Sequence, residues 1–313
     1  MPQALVYRRD SARGIAFLVA GIAVFSVQDL ILKLLSGGYP LHQAMVLRSL
    51  TAIPFLLLLV MANGGLRTLV TPGWGLMVRR GGIMFVAYTS YYLALAALPL
   101  ATTVALYFSA PLMITVLSVA MLGERVSGLR WGAVAMGFIG VLIMVRPGSD
   151  LFDWAALLPV LSGLAYALSM ISARQQGTTQ TAAALAFWGN AVFLVCGIIL
   201  SLIFGFGGFE SDGHRSLAFL LRGWEWPTVQ DALLMMACGV IAAAGLTLLT
   251  QAYRVAESSV VAPFEYSGMI WGVLWGWLFW QDWPDRVGWL GISVIIGAGL
   301  FVLWRERVEA SRR

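Results

Sequence analysis

Apolar runs long enough to cross a lipid bilayer recur along the whole 313-residue chain, and no other feature restricts the possible folds as strongly. A transmembrane helix needs about 20 consecutive apolar residues to cross roughly 30 Å of hydrocarbon. The composition agrees, because 60% of the residues are hydrophobic, 11% are charged and the mean hydropathy is +0.84. Water-soluble domains do not have this composition. The chain is therefore predicted to be an all-α integral membrane protein, and its first run is a span rather than a cleaved signal peptide.

The hydropathy pattern predicts ten transmembrane helices. They are expected at 14–35, 41–61, 81–98, 101–122, 131–145, 154–173, 181–204, 231–252, 259–280 and 287–304. With a cytoplasmic N-terminus, 14 of the 20 basic residues lie in inner segments and four in outer segments, while Lys33 and Arg48 lie within spans. Basic residues are enriched on the cytoplasmic side of membrane proteins. The distribution therefore predicts a multi-pass protein of the inner (plasma) membrane with both termini in the cytoplasm.

The longest outer segment, about 205–230, contains the amphipathic stretch "LAFLLRGWEWP". Such a stretch is expected to lie flat at the membrane interface, with Trp224 and Trp226 at the level of the headgroups. A lid over a transport pathway is the alternative interpretation.

The two halves of the chain carry similar motifs in the same order. Glycines eight residues apart occur in span 5 (Gly132 and Gly140) and again in span 10 (Gly291 and Gly299), and "MLGERVSG" after span 4 corresponds to "FWQDWPDR" after span 9. With five spans per copy, the second copy enters the membrane from the opposite side, which makes an inverted-topology repeat. Repeats of this kind commonly build secondary transporters with a substrate site between the halves. The predicted units are residues 14–145 and 154–304.

Two segments resemble the EamA type of the drug/metabolite transporter superfamily: "YFSAPLMITVLSVAMLGERVSGLRWGAVAMGFIGVLIMVRPG" (Tyr107–Gly148) and "APFEYSGMIWGVLWGWLFWQDWPD" (Ala262–Asp285). The most specific part runs from Pro111 to Glu124, whereas Asp282 in the second copy stands where the family more often has glutamate. The resemblance implies two inverted five-helix repeats around a central cavity lined by spans 1, 3, 4, 6, 8 and 9. It also implies a small organic substrate, such as an amino acid, and the first segment is similar to bacterial importers of adenosylmethionine or riboflavin.

Glu265 is a carboxylate inside the ninth predicted span. It lies about seven residues into the span, or roughly 10 Å from the inner boundary at about 1.5 Å per residue. A charge that faces lipid at this depth costs several kcal/mol, so Glu265 is expected to face the interior of the bundle. It is a candidate for lining the cavity and for carrying a proton. A buried structural carboxyl group is the alternative. Pro263, two positions earlier, lacks a backbone donor and is expected to open the helix locally.

Asp29 and Lys33 are four residues apart in span 1 and therefore share a helix face. Arg48 enters span 2 from the outside at a depth similar to that of Asp29. A structural ion pair between Asp29 and Arg48 is one interpretation. The other is a functional cluster that lines the outer half of a pathway and binds a carboxylate or a phosphate-like group of a substrate.

Several aromatic and polar side chains are placed where they could line a cavity for an aromatic or amphipathic solute. Tyr88 and Tyr92 share one face of span 3, and anchoring at the membrane interface is the alternative role for such residues. Gly268, Gly272 and Gly276 form a ridge of small residues suited to helix packing or to dimerisation. The remaining candidate substrate-binding or coupling residues are Gln28, Tyr107, Tyr166, Gln251, Tyr266 and Trp271.

Other classes of function have weaker support in the sequence. It contains no Gly-x4-Gly-Lys loop, and His42 and His214 have no cysteine or carboxylate at ligand spacing, so neither ATP drive nor a metal or other cofactor is predicted. The expected partners are a small-molecule substrate and the lipid bilayer, with protons as candidate coupling ions, no nucleic acid, and a monomer or weak homodimer. The chain is not expected to be an enzyme. The main alternative is an integral membrane enzyme in which Asp29, Arg48 and Glu265 act on a lipid-linked substrate.

Overall fold

A computed structural model of the protein describes residues 2–123, 126–149, 151–176, 181–209, 213–255 and 262–310. Within these ranges the secondary structure consists of twelve α-helices and three short 3-10 helices. The α-helices are α1 (Pro2–Leu35), α2 (Leu41–Ala62), α3 (Trp74–Ala97), α4 (Leu100–Tyr107), α5 (Ala110–Leu122), α6 (Gly128–Val145), α7 (Leu157–Gln176), α8 (Ala182–Phe204), α9 (Arg215–Leu221), α10 (Val229–Val255), α11 (Gly268–Trp280) and α12 (Arg286–Ala310). The 3-10 helices are Leu66–Leu69, Trp154–Ala156 and Ala262–Ser267.

Eight stretches among the described residues are long and apolar enough to cross a membrane, which makes this a multi-pass membrane protein. The joined helices α4 and α5 form one of these stretches. Two of the ten predicted spans are not among the eight. The third predicted span corresponds to α3, which carries Arg79, Arg80 and a cluster of Tyr, Thr and Ser. The ninth predicted span divides into a 3-10 helix and the 13-residue α11. The count of ten therefore remains a prediction.

Two of the predicted spans are interrupted helices. The predicted span 101–122 breaks at Phe108 and Ser109, between α4 and α5, where Pro111 sits in the first turn of α5. Proline lacks a backbone N–H and clashes with the preceding helical turn, so a helix that continues through it is destabilised. The predicted span 259–280 is a 3-10 helix from Ala262 and becomes α-helical only at Gly268. The sequence predicted a local opening at Pro263 but not the break at Phe108.

Helices pack closely where glycine removes the side chain. Gly239 of α10 lies so near α2 that a Cβ atom there would overlap the backbone carbonyl of Arg48. In the pairing of α6 with α12, Gly140 lies against Ile295 and Gly291 lies against Met144. Because lower numbers on α6 meet higher numbers on α12, these two helices run antiparallel. Without a hydrophobic driving force between helices in lipid, such close backbone contact is a main source of association.

Most of the extensive helix pairs are related by exchanging the two halves of the chain. These pairs are α1 with α10, α3 with α7, α2 with α8, α2 with α10, α3 with α8, α5 with α7, α1 with α11, and α6 with α12. Exchanging α1, α2, α3, α5 and α6 for α7, α8, α10, α11 and α12 maps this set of pairs onto itself. The pairs of α4 with α11, α4 with α7 and α3 with α9 lie outside this scheme. The caps of α5 and α11 agree with the exchange, since both helices end on a left-handed residue, Gly123 and Gln281 respectively.

The segment that contains α9 is tied to one end of the bundle, called here the α9 end. Phe219 on α9 is fully buried, and the hydroxyl of Ser216 donates to the carbonyl of Leu93 on α3 at 2.7 Å. The Arg222 guanidinium donates to the carbonyls of Ser36 and Tyr39, at the end of α1. The expectation that this stretch lies flat at the membrane interface stays a prediction, since Phe219 packs on protein while Trp224 is 44% and Trp226 99% exposed.

Two further contacts strengthen the α9 end. The amide group of Gln43 on α2 donates to the Glu225 carbonyl at 2.7 Å and accepts from its N–H at 3.3 Å. Arg146, just after α6, pairs with Asp285, just before α12. The hydrogen bond from Arg146 lowers the pKa of the Asp285 carboxyl below its ordinary value.

The glycine ridge of α11 is used within the chain. Gly268 faces Phe108, Gly272 faces Val104, and Gly276 lies beside Leu100, so the ridge packs along α4 and its end. The interpretation of this ridge as a dimerisation surface is therefore wrong, because α4 already occupies it.

We expect Gly239→Ala to lower the thermal stability of the purified protein, by an amount equivalent to about 1–3 kcal/mol, because the added methyl group overlaps α2. The matched control is Gly189→Ala on α8, where a Cβ atom would meet open space. There the loss of glycine flexibility should leave stability unchanged or raise it by up to about 1 kcal/mol. Equal melting temperatures for the two variants would contradict the close approach of α2 and α10.

Candidate functional site

A buried hydrogen-bonded chain links helices α1, α2 and α3. The Gln28 amide nitrogen on α1 donates to the Tyr92 hydroxyl on α3 at 2.8 Å. The Gln28 amide oxygen accepts from Nε of Arg48 on α2 at 3.0 Å. All three residues are buried. Because Gln28 uses both ends of its amide group, the orientation of that group is fixed and so is the position of the Arg48 guanidinium.

Aromatic rings surround the Arg48 guanidinium. Its central carbon lies 5.2 Å from the ring centroid of Phe193 on α8 and 5.9 Å from that of Tyr88 on α3. Tyr88 in turn stacks on Tyr92, with ring centroids 6.1 Å apart. These distances are in the range in which a cation is attracted by the face of an aromatic ring. The rings therefore stabilise the charge of Arg48 inside the bundle.

Asp29 is held by a tyrosine rather than by arginine. The Tyr91 hydroxyl donates to the Asp29 carboxylate at 3.1 Å. Arg48 is close enough to act on Asp29 electrostatically, but its hydrogen bond goes to Gln28. The predicted Asp29–Arg48 ion pair is therefore wrong for this conformation, because neighbouring residues on α1 point in different directions and it is Gln28 that faces Arg48.

Tyrosine rings continue from Asp29 towards the interrupted helix. Tyr91 contacts Tyr107 at the end of α4, with ring centroids 5.4 Å apart, and Tyr107 contacts Tyr166 of α7 at 5.9 Å. Phe108, in the break between α4 and α5, packs on Tyr266 at 4.9 Å. Two helix interruptions and a run of aromatic rings therefore meet in one region. This region is called here the aromatic cluster. Its members are Arg48, Arg80, Tyr88, Tyr91, Tyr92, Tyr107, Tyr166 and Phe193, and Glu265 lies at its edge.

Glu265 lies at one side of the aromatic cluster. It belongs to the 3-10 helix Ala262–Ser267, is half-buried, and acts electrostatically on the hydroxyls of Tyr107 and Tyr166. Arg80 on α3 approaches the same region, since its Nε donates to the Ser169 carbonyl at 3.4 Å and its charge acts on Tyr166. The cluster thus combines carboxylates, cations and phenol groups at the level of the helix interruptions.

Lys33 lies apart from this arrangement. Lys33 donates to the carbonyls of Leu95 and Leu98, at 2.8 and 2.6 Å, and lies 5.1 Å from the ring centroid of Trp280. It therefore satisfies the C-terminal carbonyls of α3 at the α9 end.

Tyr266, Trp271 and Gln251 are placed differently from one another. Tyr266 is buried against Phe108 and Gly299, and its hydroxyl has no hydrogen-bond partner among the described residues. Trp271 stacks on Trp275 at 6.0 Å along α11, and Gln251 is half-buried near the end of α10. Tyr266 thus belongs to the packing between the second interruption and α12.

Three members of the aromatic cluster were not among the predicted site residues. Tyr91 does not lie on the face that Tyr88 and Tyr92 share, Phe193 is one apolar residue in a long apolar run, and Arg80 directly precedes the third predicted span. The signal for Tyr91 was present in its spacing, since it lies three positions after Tyr88 and directly precedes Tyr92. Only the packing of α8 against α3 could reveal Phe193.

The aromatic cluster is suited to bind a planar organic molecule and hold its polar groups. The rings provide faces for stacking, the phenol hydroxyls can donate or accept hydrogen bonds, and charges of both signs are present. Interrupted helices at membrane depth occur where spans are buried in protein or line a cavity. A multi-pass membrane protein with these features belongs to the class of small-molecule transporters.

Comparison with known proteins places the chain in a family. The EamA-like transporter family matches residues 12–146 and 153–304, so the chain belongs to this family of the drug/metabolite transporters. A riboflavin transporter of Rhizobium johnstonii is 34% identical over 212 residues, which is 68% of this chain and 64% of that protein.

Two further relatives match over nearly their whole length. An S-adenosylmethionine uptake transporter of Rickettsia bellii is 24% identical over 306 residues, covering 96% of each chain. A pseudopaline exporter of Pseudomonas aeruginosa is 26% identical over 287 residues, covering 91% of this chain and 94% of that protein. The resemblance noted from the sequence is confirmed at the level of the family.

We expect Tyr266→Phe to leave thermal stability unchanged or slightly raised, because the lost hydroxyl is buried without a partner among the described residues. Tyr92→Phe is the matched change and should lower stability by about 1–3 kcal/mol, since the Gln28 amide then loses its acceptor. Both variants should be compared by thermal unfolding in the same detergent. A larger loss in Tyr266→Phe than in Tyr92→Phe would contradict this arrangement.

Proposed function

We propose that the protein carries a small, aromatic-bearing organic metabolite across the inner membrane by alternating access, as a secondary active or facilitative transporter. The observation that carries this proposal is the meeting of two interrupted helices, at Phe108 and Tyr266, beside the aromatic cluster. Discontinuous helices at corresponding positions of two halves are typical of substrate sites in transporters. A solute would bind in a cavity at this level, between the halves.

The internal symmetry of the helix packing supports two inverted repeats of five spans each. Eight of the packed helix pairs map onto one another when the two halves are exchanged, and α6 packs antiparallel to α12. Ten spans would place both termini on one side, and the distribution of basic residues favours the cytoplasm. In such a transporter one half rocks against the other around a fixed site.

The contacts at the α9 end support a conformation closed on that side. The α9 segment belongs to the second half, and it is tied by Ser216, Arg222 and Gln43 to helices of the first half. Alternating access requires these ties to break when the site opens towards the α9 end. Each of these hydrogen bonds contributes about 0.5–1.5 kcal/mol, so a modest change in binding energy can shift the balance.

The names of the relatives support an aromatic-bearing substrate, but they do not distinguish import from export. One is named for riboflavin, one for uptake of S-adenosylmethionine and one for export of pseudopaline. Riboflavin and S-adenosylmethionine each contain a planar heterocycle, which fits the tyrosine rings around Tyr107. We therefore propose a heterocyclic metabolite as the substrate class.

Purified protein in liposomes tests this proposal. Labelled riboflavin, adenosylmethionine and aromatic amino acids should be offered from outside, with protein-free liposomes as the control. At least one should accumulate or equilibrate faster with protein, and should be recovered chemically unchanged. A chemically altered product would favour the alternative of a membrane enzyme. Folded protein that neither moves nor binds any member of the panel would contradict the proposal.

We expect Glu265→Gln to abolish the response of transport to an imposed pH gradient, because the amide cannot bind and release a proton beside Tyr107 and Tyr166. Asp153→Asn is the matched control, since Asp153 is a carboxylate outside the spans that pairs with His214. The control should keep the wild-type response. An unchanged response in Glu265→Gln would show that Glu265 is not the proton carrier.

A further inference from the structure

We infer that the substrate carries an anionic group, a carboxylate or a phosphate, which binds to the terminal nitrogens of Arg48, and that Gln28 is the residue that positions Arg48 for this contact. The inference rests on the proposed function and narrows its substrate class. The geometry that carries it is a buried guanidinium that, within the described part of the chain, is hydrogen-bonded through one of its three nitrogens.

Arg48 retains most of its hydrogen-bonding capacity. Only 7% of its surface is exposed, and its single hydrogen bond to a described residue runs from Nε to Gln28. A guanidinium has five N–H donors, and four of them are on the two terminal nitrogens. Neither terminal nitrogen has a hydrogen-bond partner among the described residues, and each keeps a small accessible surface although the side chain is buried. Arg48 can therefore receive a bidentate acceptor.

The position of the guanidinium is set before any ligand arrives. Gln28 and Tyr92 are each only 2% exposed, and the hydrogen bond between them directs the amide oxygen of Gln28 towards Nε. Phe193 and Tyr88 restrict the guanidinium from two other helices. An arginine side chain ordinarily loses considerable rotamer entropy when it binds an anion. Here the Arg48 side chain is already fixed in the folded protein, so little further rotamer entropy is lost when an anion binds.

The charge of Arg48 requires a counter-charge inside the membrane. Asp29 acts on it electrostatically but accepts its hydrogen bond from Tyr91, which leaves the fork of Arg48 available. Arginine matches carboxylate and phosphate oxygens in a planar, bidentate geometry. Because the Tyr88 ring lies against the same guanidinium, a substrate with its ring on the tyrosines can place an adjacent anionic group at Arg48.

Binding of matched pairs of compounds to the protein in lipid nanodiscs tests the inference. Riboflavin and riboflavin 5′-phosphate differ by a phosphate, and tryptophanamide and tryptophan differ by a carboxylate. Calorimetry should give about tenfold tighter binding, or more, for the anionic member of at least one pair. The pair that shows the preference identifies which anionic group the site takes.

Variants then assign the preference to individual residues. Arg48→Gln should abolish the difference within the pair while changing the affinity for the neutral member by no more than about twofold. Arg48→Lys keeps the charge without the planar fork and should keep a reduced preference. Gln28→Leu should reduce the preference without removing it, because Arg48 keeps its charge but loses its orientation. Lys33→Gln, at the end of α3, should leave the ratio unchanged.

Equal affinity for both members of every pair in the wild-type protein would overturn the inference, and so would an unchanged preference in folded Arg48→Gln. The proposed function would survive either result if a neutral compound still crosses proteoliposomes. Failure of every compound both to bind and to cross would contradict the inference and the proposed function together.

Discussion

The packing of one interrupted helix on the other is the interaction on which the rest of this structure depends. A break in a membrane helix leaves backbone groups without their helical partners, and hydrocarbon cannot supply replacements. At the first break the N–H groups of Phe108 and Ser109 keep backbone acceptors, the carbonyls of Val104 and Leu106. The Phe108 ring also packs on Tyr266 of the second break at 4.9 Å, which shields both breaks from lipid. The result places Tyr107 and Glu265 in the interior, where polar groups are tolerated.

The same requirement explains the polar contacts at the α9 end. The last carbonyls of a helix have no partner within it and must find one elsewhere. Lys33 and Ser216 donate to carbonyls near the end of α3, and Arg222 donates to those after α1. Residues that seal the bundle on this side therefore also complete its helix ends. A transporter that opens here has to exchange these bonds for bonds to water, which keeps the energetic difference between states small.

Much of the fold could be predicted because apolar runs and prolines act locally. The runs gave helix positions within a few residues, and Pro263 indicated the second interruption. Pro111 did not indicate the first interruption. A proline in the first turn of a new helix and a proline just after a break in a longer helix have the same sequence pattern. The docking of α9 also escaped prediction, because an apolar face that packs on protein resembles one that packs on lipid.

The site shows the same limit at the level of single residues. Gln28 and Asp29 are adjacent on α1 and point about 100° apart, so a small rotation of the helix decides which one meets Arg48. That rotation is set by contacts between helices, such as Gly21 against Leu249 and Gly245 against Phe25. Charge and depth alone favoured Asp29. The rotation of one helix relative to another cannot be predicted from the spacing of residues in a single sequence.

The central claim is that the two halves move against each other around the aromatic cluster. Spin labels at Gly38, between α1 and α2, and at Trp283, between α11 and α12, would report the separation of the halves at the α9 end. With Cys196 and Cys238 replaced, distances should be measured by pulsed electron resonance in nanodiscs, with and without a transported solute. The account predicts a second population, longer by several ångströms, whose share changes with solute. A single distance distribution that stays the same while the same variant carries solute in liposomes would contradict it.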